Sequence, residues 1–258
     1  MDVRSSRGGF FSGRRRLVGL AALALGAMPT GAALGAAVGP AAPAEASTTT
    51  TSPIPGYFEV ASDGGIFAFN APFDGSMGGQ HLNAPIVGMA EDTSTGGYFE
   101  VARDGGIFAF DAPFDGSMGG KALNAPIVGM AFDPATGGYF EVASDGGVFA
   151  FGGAAYDGSM GGQKLNAPIV GMAFDPASGG YWEVASDGGL FAFGGAAFNG
   201  SMGGRTLNSP IVGMAGRKGG GYLEVASDGG IFAFGTSYQG SMGGKVLNAP
   251  IVGATSQE

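Results

Sequence analysis

Pro168-Ile169-Val170-Gly171-Met172-Ala173-Phe174, then Asp175-Pro176-Ala177-Ser178-Gly179-Gly180, then Tyr181-Trp182-Glu183-Val184-Ala185-Ser186 and Asp187-Gly188-Gly189-Leu190-Phe191-Ala192-Phe193 is the stretch on which the fold turns. Its apolar runs are four to seven residues long, and clusters of Gly, Pro, Asp and Ser separate them. That is strand-and-turn grammar, with no helical period and no helix caps. Asp187-Gly188 reads as a two-residue hairpin turn, and a weaker fourth strand is predicted over Phe198 to Met202. Pro168 stands at the first position of its strand, where no ladder donor is needed.

The same unit recurs outward in both directions. Gly-Tyr pairs begin at Gly56, Gly97, Gly138, Gly180 and Gly221, spaced by 41, 41, 42 and 41 residues, and Pro-Ile-Val-Gly recurs at Pro85, Pro126, Pro168, Pro210 and Pro250. A period near 40 with four strands per unit has the size of a propeller blade. The expectation is therefore an all-β chain, a five-bladed β-propeller of four-stranded blades over residues 56–254. The first unit lacks a strand before Tyr57, so Pro250 to Ala254 is predicted to complete it and close the ring. With the two-residue turn at Asp63-Gly64, Val60 is expected opposite Phe67 and Phe58 opposite Phe69, a bulky face packing on a small one in the next blade.

The unit Gly138-Tyr139-Phe140-Glu141-Val142-Ala143-Ser144-Asp145-Gly146-Gly147-Val148-Phe149-Ala150-Phe151, with Gly-Ser-Met-Gly-Gly and Leu-Asn-Ala-Pro-Ile-Val-Gly-Met-Ala, resembles a repeat common in secreted actinobacterial proteins. The resemblance spans residues 56–254 and implies a propeller-like accessory region that often accompanies cell-wall hydrolases or peptidases. The strand-turn grammar is also similar to WD-type blades. One position departs from the family pattern: the third residue of the Tyr strand, often apolar there, is Glu in all five copies. The family's enzymatic partners are not carried over to this chain.

Composition bounds the chemistry. The 258 residues include 54 Gly and 14 Pro, about a quarter of the chain, yet 20 Phe and 7 Tyr are too many for an unfolded polymer. There is no Cys, which removes disulfides, thiolate zinc sites and thiol nucleophiles, and His81 is the only histidine. No catalytic residue, metal site or cofactor is assigned. Residues 1–46, with Arg4, Arg7 and Arg14-Arg15-Arg16 ahead of an uncharged stretch from Leu17 to Val38, read as a signal peptide of twin-arginine type. Cleavage is expected before Ser47. The rival reading is a retained membrane anchor. Residues 47–55 form a Ser/Thr/Pro spacer, and 255–258 a tail. The mature chain would carry 7 Lys+Arg against 19 Asp+Glu, a surface that repels nucleic acid and anionic lipid.

Candidate ligand-binding residues are the recurring carboxylates Glu59, Glu100, Glu141, Glu183 and Glu224 with their neighbours Tyr57, Tyr98, Tyr139, Tyr181 and Tyr222. The alternative for each Glu is a structural acceptor for a neighbouring blade's backbone. Asn83, Asn124, Asn166, Asn208 and Asn248 either present amides to a ligand or cap their own turns. Near-identical units place like residues around a ring, whereas catalysis needs unlike residues at one point. The expected function is thus an exported, non-catalytic module that binds cell-surface or cell-wall glycan, or another exported protein, with lectin-like repeated sites. A five-bladed glycosidase or other hydrolase, and a purely structural surface repeat, are the alternatives. A single chain is the expected state.

Overall fold

The computed structural model describes residues 56–254; the predicted signal segment, spacer and tail lie outside the described residues. Among these residues the chain is all β, without a helix, and it forms five antiparallel sheets in sequence order. The first sheet pairs β1 (Tyr57–Val60) with β2 (Ile66–Phe69). The second is β3 (Ile86–Glu91), β4 (Tyr98–Ala102) and β5 (Ile107–Phe110), with β4 in the middle. The third is β6 (Ile127–Phe132), β7 (Tyr139–Ala143) and β8 (Val148–Phe151). The fourth is β9 (Ile169–Phe174), β10 (Tyr181–Ala185) and β11 (Leu190–Phe193). The fifth is β12 (Ile211–Gly216), β13 (Tyr222–Ala226) and β14 (Ile231–Phe234).

Four of the sheets therefore carry three strands and the first carries two, where four were expected in each. Phe198 to Met202 pairs with no strand, since the Gly-Ser-Met-Gly-Gly run takes positive φ at Gly200 (113°) and Gly204 (74°). Nor does Pro250 to Ala254 pair with β1. Ile251 donates its N–H to the Ser227 carbonyl (2.8 Å), the bond Ile86, Ile127, Ile169 and Ile211 each make to the turn before them. The segment follows the path of one more first strand at the far side of the fifth sheet, while the β1–β2 sheet keeps two strands.

The hairpin differs from its expected form by one residue. Gly64 N–H donates to Ala61 O (2.9 Å), Ala61 N–H donates to Gly65 O (2.8 Å), and Asp63 Oδ1 accepts from Gly65 N–H (3.0 Å). The loop is thus Ser62-Asp63-Gly64, with positive φ at Gly64 alone (80°), a type I turn closed by a glycine bulge. Tyr57 faces Phe69, Phe58 faces Ala68, Glu59 faces Phe67 and Val60 faces Ile66. That register moves both outer phenylalanines onto the face of Tyr57 and Glu59. One face of every unit consequently reads Tyr, Glu, Phe, Phe, and the other reads Phe, Val, Ile, Ala or their equivalents.

The two faces meet between units. Phe58 packs on Tyr98, Phe99 on Tyr139, Phe140 on Tyr181 and Trp182 on Tyr222, with ring centroids 4.7, 4.8, 4.8 and 5.0 Å apart. Tilted aromatic contacts at this distance add to plain burial, and each buried Phe contributes about 1.5–3 kcal/mol. First strands of successive units also lie against one another. A Cβ on Gly171 would sit 3.6 Å from the Gly213 Cα, and Gly88, Gly129 and Gly213 approach the next unit's glycine in the same way. At 3.6–3.9 Å such a Cβ would be in ordinary van der Waals contact, so these strands pack closely side by side.

Candidate functional site

The five Glu–Tyr pairs divide into two groups. Tyr98, Tyr139, Tyr181 and Tyr222, with Glu100, Glu141, Glu183 and Glu224, are fully buried between sheets, whereas Tyr57 and Glu59 of the first sheet are exposed. Each buried tyrosine ties down the loop of the unit before it. Tyr139 donates its hydroxyl to Gly116 O (2.7 Å) and accepts from Asp115 N–H (3.0 Å). Tyr98, Tyr181 and Tyr222 do the same at Gly75, Gly158 and Gly200.

The glutamates reach the adjoining part of that loop. Glu141 Oε1 accepts from Met118 N–H (3.1 Å), Glu183 Oε1 from Met160 N–H (3.3 Å) and Glu224 Oε2 from Met202 N–H (3.4 Å). The second oxygen of each is buried without a partner, as are both oxygens of Glu100. Loss of hydration raises these carboxyls from an ordinary 4.5 to about 7 for Glu100, Glu141 and Glu224 and about 8 for Glu183, with the backbone N–H groups of Met77, Met118, Met202 and Met160 opposing the rise. The hairpin glycine of the preceding unit fits beneath: a Cβ on Gly105 would lie 3.0 Å from Glu141 Oε2 and 2.6 Å from Met118 Cβ. The interior pairs thus hold one unit to the next.

A different set of side chains faces outward. Phe73, Phe114, Tyr156, Phe198 and Tyr238 occupy equivalent places ahead of Gly-Ser-Met-Gly-Gly and are 59, 57, 59, 60 and 56% exposed. The connection from the last phenylalanine of the outer strand to this aromatic is one residue longer in the third and fourth units, where Gly152-Gly153 and Gly194-Gly195 stand, yet exposure is unchanged. Tyr156 and Tyr238 donate their hydroxyls to Ser159 and Ser241 Oγ (3.2 and 3.0 Å). In the fourth unit Phe198 borders a cavity of about 250 Å³ shared with Asn166, Asp187, Phe191 and Ser201. A cavity of about 220 Å³ recurs in the fifth, with Asn208, Asp228, Phe232 and Ser241 in the corresponding places.

Both depressions combine aromatic surface with one carboxylate and one amide; the fourth unit adds the hydroxyl of Ser201, and the fifth, which Tyr238 does not line, those of Ser209 and Ser241. The aspartates hold their turns, Asp187 Oδ1 accepting from Gly189 N–H (2.9 Å) and Asp228 Oδ1 from Gly230 N–H (3.0 Å). All five asparagines singled out by the sequence are exposed. The outward aromatics were the residues sequence reasoning missed; the signal was an aromatic kept inside a glycine-rich connection that has no core to fill. Among the described residues no three His, Asp or Glu side chains gather as metal ligands. Among them, too, no helix is long and apolar enough to cross a membrane. No protein-family model matches the chain, and no curated protein does.

Proposed function

We propose that this chain is an exported, non-catalytic binding module, propeller-like in architecture, that takes glycans of a cell surface or cell wall on equivalent sites repeated along its units. The observation that carries the reading is the row of five outward aromatics, more than half exposed at matching positions. A sugar ring offers an apolar C–H face to an aromatic and hydroxyls to groups such as Asp187, Asn166 and Ser201 beside it. Weak sites repeated at fixed spacing gain avidity on a polymer that repeats as well. The resemblance to secreted actinobacterial repeats supports export, and the basic, then uncharged start of the sequence agrees with it. Of the Glu–Tyr pairs, only Tyr57 and Glu59 are open to a ligand.

A glycan array probed with the full chain tests this. Binding should weaken stepwise as Phe73, Phe114, Tyr156, Phe198 and Tyr238 are changed to Ala one after another. A five-site variant that binds as the parent does would overturn the assignment. Release of reducing sugar from a bound glycan would instead favour the glycosidase reading.

A further inference from the structure

Every junction between units uses the same two surfaces, and among the described residues each surface is left once without its counterpart. At the leading side, Tyr57 and Phe69 are 51 and 42% exposed and Glu59 has no preceding unit, although Tyr98, Tyr139, Tyr181 and Tyr222 are fully buried at this place. At the trailing side, Met242 is 47% exposed, and its N–H turns back to Gly229 O (3.0 Å) where Met118, Met160 and Met202 give theirs to the next unit's Glu. Gly75, Gly116, Gly158 and Gly200 each lie under a phenylalanine of the following unit, within 3.1 Å of a Cβ placed on them; Gly240 has nothing within 4 Å. The missing phenylalanine corresponds to Phe69.

We propose that the trailing face of the fifth sheet docks on the leading face of the first sheet in a second copy of this chain, a head-to-tail contact that repeats the internal junction. The match is donor for acceptor: Tyr57 hydroxyl for Gly240 O, Glu59 carboxylate for Met242 N–H, the Phe69 ring for the gap over Gly240, and Leu223 for the Tyr57 ring, as Trp182 serves Tyr222. A contact of this kind uses different surfaces on its two partners, so it builds a ring when the rotation closes and a filament when it does not. It stands independently of the glycan reading, since the outward aromatics take no part in it.

Light scattering coupled to gel filtration of the full chain, over a wide range of concentration, reads the result. The parent should show masses of two or more chains, rising with concentration. Phe69→Arg blocks the leading face and Ala233→Arg the trailing face, and each alone should run as a single chain and melt as the parent does at dilutions where it is a single chain too. Mixed in equal amounts, they should restore a species of two chains, because one intact leading face meets one intact trailing face. A parent that stays a single chain at every concentration overturns the proposal. So does a mixture that restores nothing, and so does a single-chain parent destabilised by either variant, which would mean that the two faces close on each other within one chain.

Discussion

Four buried carboxyls that titrate near 7 to 8 give the stability of this chain an unusual pH dependence. Their folded values lie above the ordinary 4.5, so between the two the folded state holds protons that the unfolded state has released. Their contribution to stability is level below pH ~4.5, falls as pH rises towards ~8, and levels again above the folded values. A melting temperature measured from pH 4 to 9 should decline over that window, and Glu→Gln at Glu100, Glu141, Glu183 and Glu224 together should flatten it. Gly146, at φ 80° with Met160 Cβ 2.5 Å from any Cβ it might carry, makes a second case. Gly146→Ala should cost at least ~1–2 kcal/mol in urea unfolding, from the left-handed backbone alone. At this scale the recurrence of Glu at one register was legible in the sequence, and the structure buries Glu100, Glu141, Glu183 and Glu224 between units while Glu59 is exposed. Their backbone partner belongs to another unit, which spacing along one unit does not reveal. The outward aromatics escaped notice for the opposite reason: Phe198 looks like one more core residue until its surroundings are seen to be glycine.

Strands and turns show where legibility stops. All three paired strands of a unit could be read from their short apolar runs, but Ala-Ser-Asp-Gly-Gly is compatible with a two-residue or a three-residue loop. With apolar residues on both sides of the hairpin, hydrophobic pattern does not choose between the registers. The choice comes from the neighbouring unit, whose loop accepts Tyr and Glu only when both lie on the face that also holds the outer phenylalanines. Tyr139→Phe tests this junction, leaving Gly116 O and Asp115 N–H without the hydroxyl that serves both. The loss should be about 1–3 kcal/mol by denaturant unfolding. Tyr57→Phe, at the uncovered first sheet, should change stability by less than about 0.5 kcal/mol in dilute solution.

Over the whole molecule, like junctions in series make stability a sum over neighbours, and units with one neighbour are the weakest. Amide hydrogen exchange should be slowest in β6, β7 and β9, β10, and faster in β1 and β2, where only one side is covered. Uniform protection across all five sheets would contradict an array with two uncovered faces. The number of units was plain in the sequence, whereas closure was inferred by counting strands. Counting supplies a spare strand but not its direction, and Ile251 keeps the local bond to Ser227 that every earlier unit makes. The variable connection ahead of the outward aromatics has a practical meaning. Natural units already carry it in two lengths with the aromatic held in place, so Gly153 and Gly195, where an added Cβ meets only Thr136 or Ser178 at ordinary contact distance, mark two places for grafting foreign peptides beside the aromatics they would accompany.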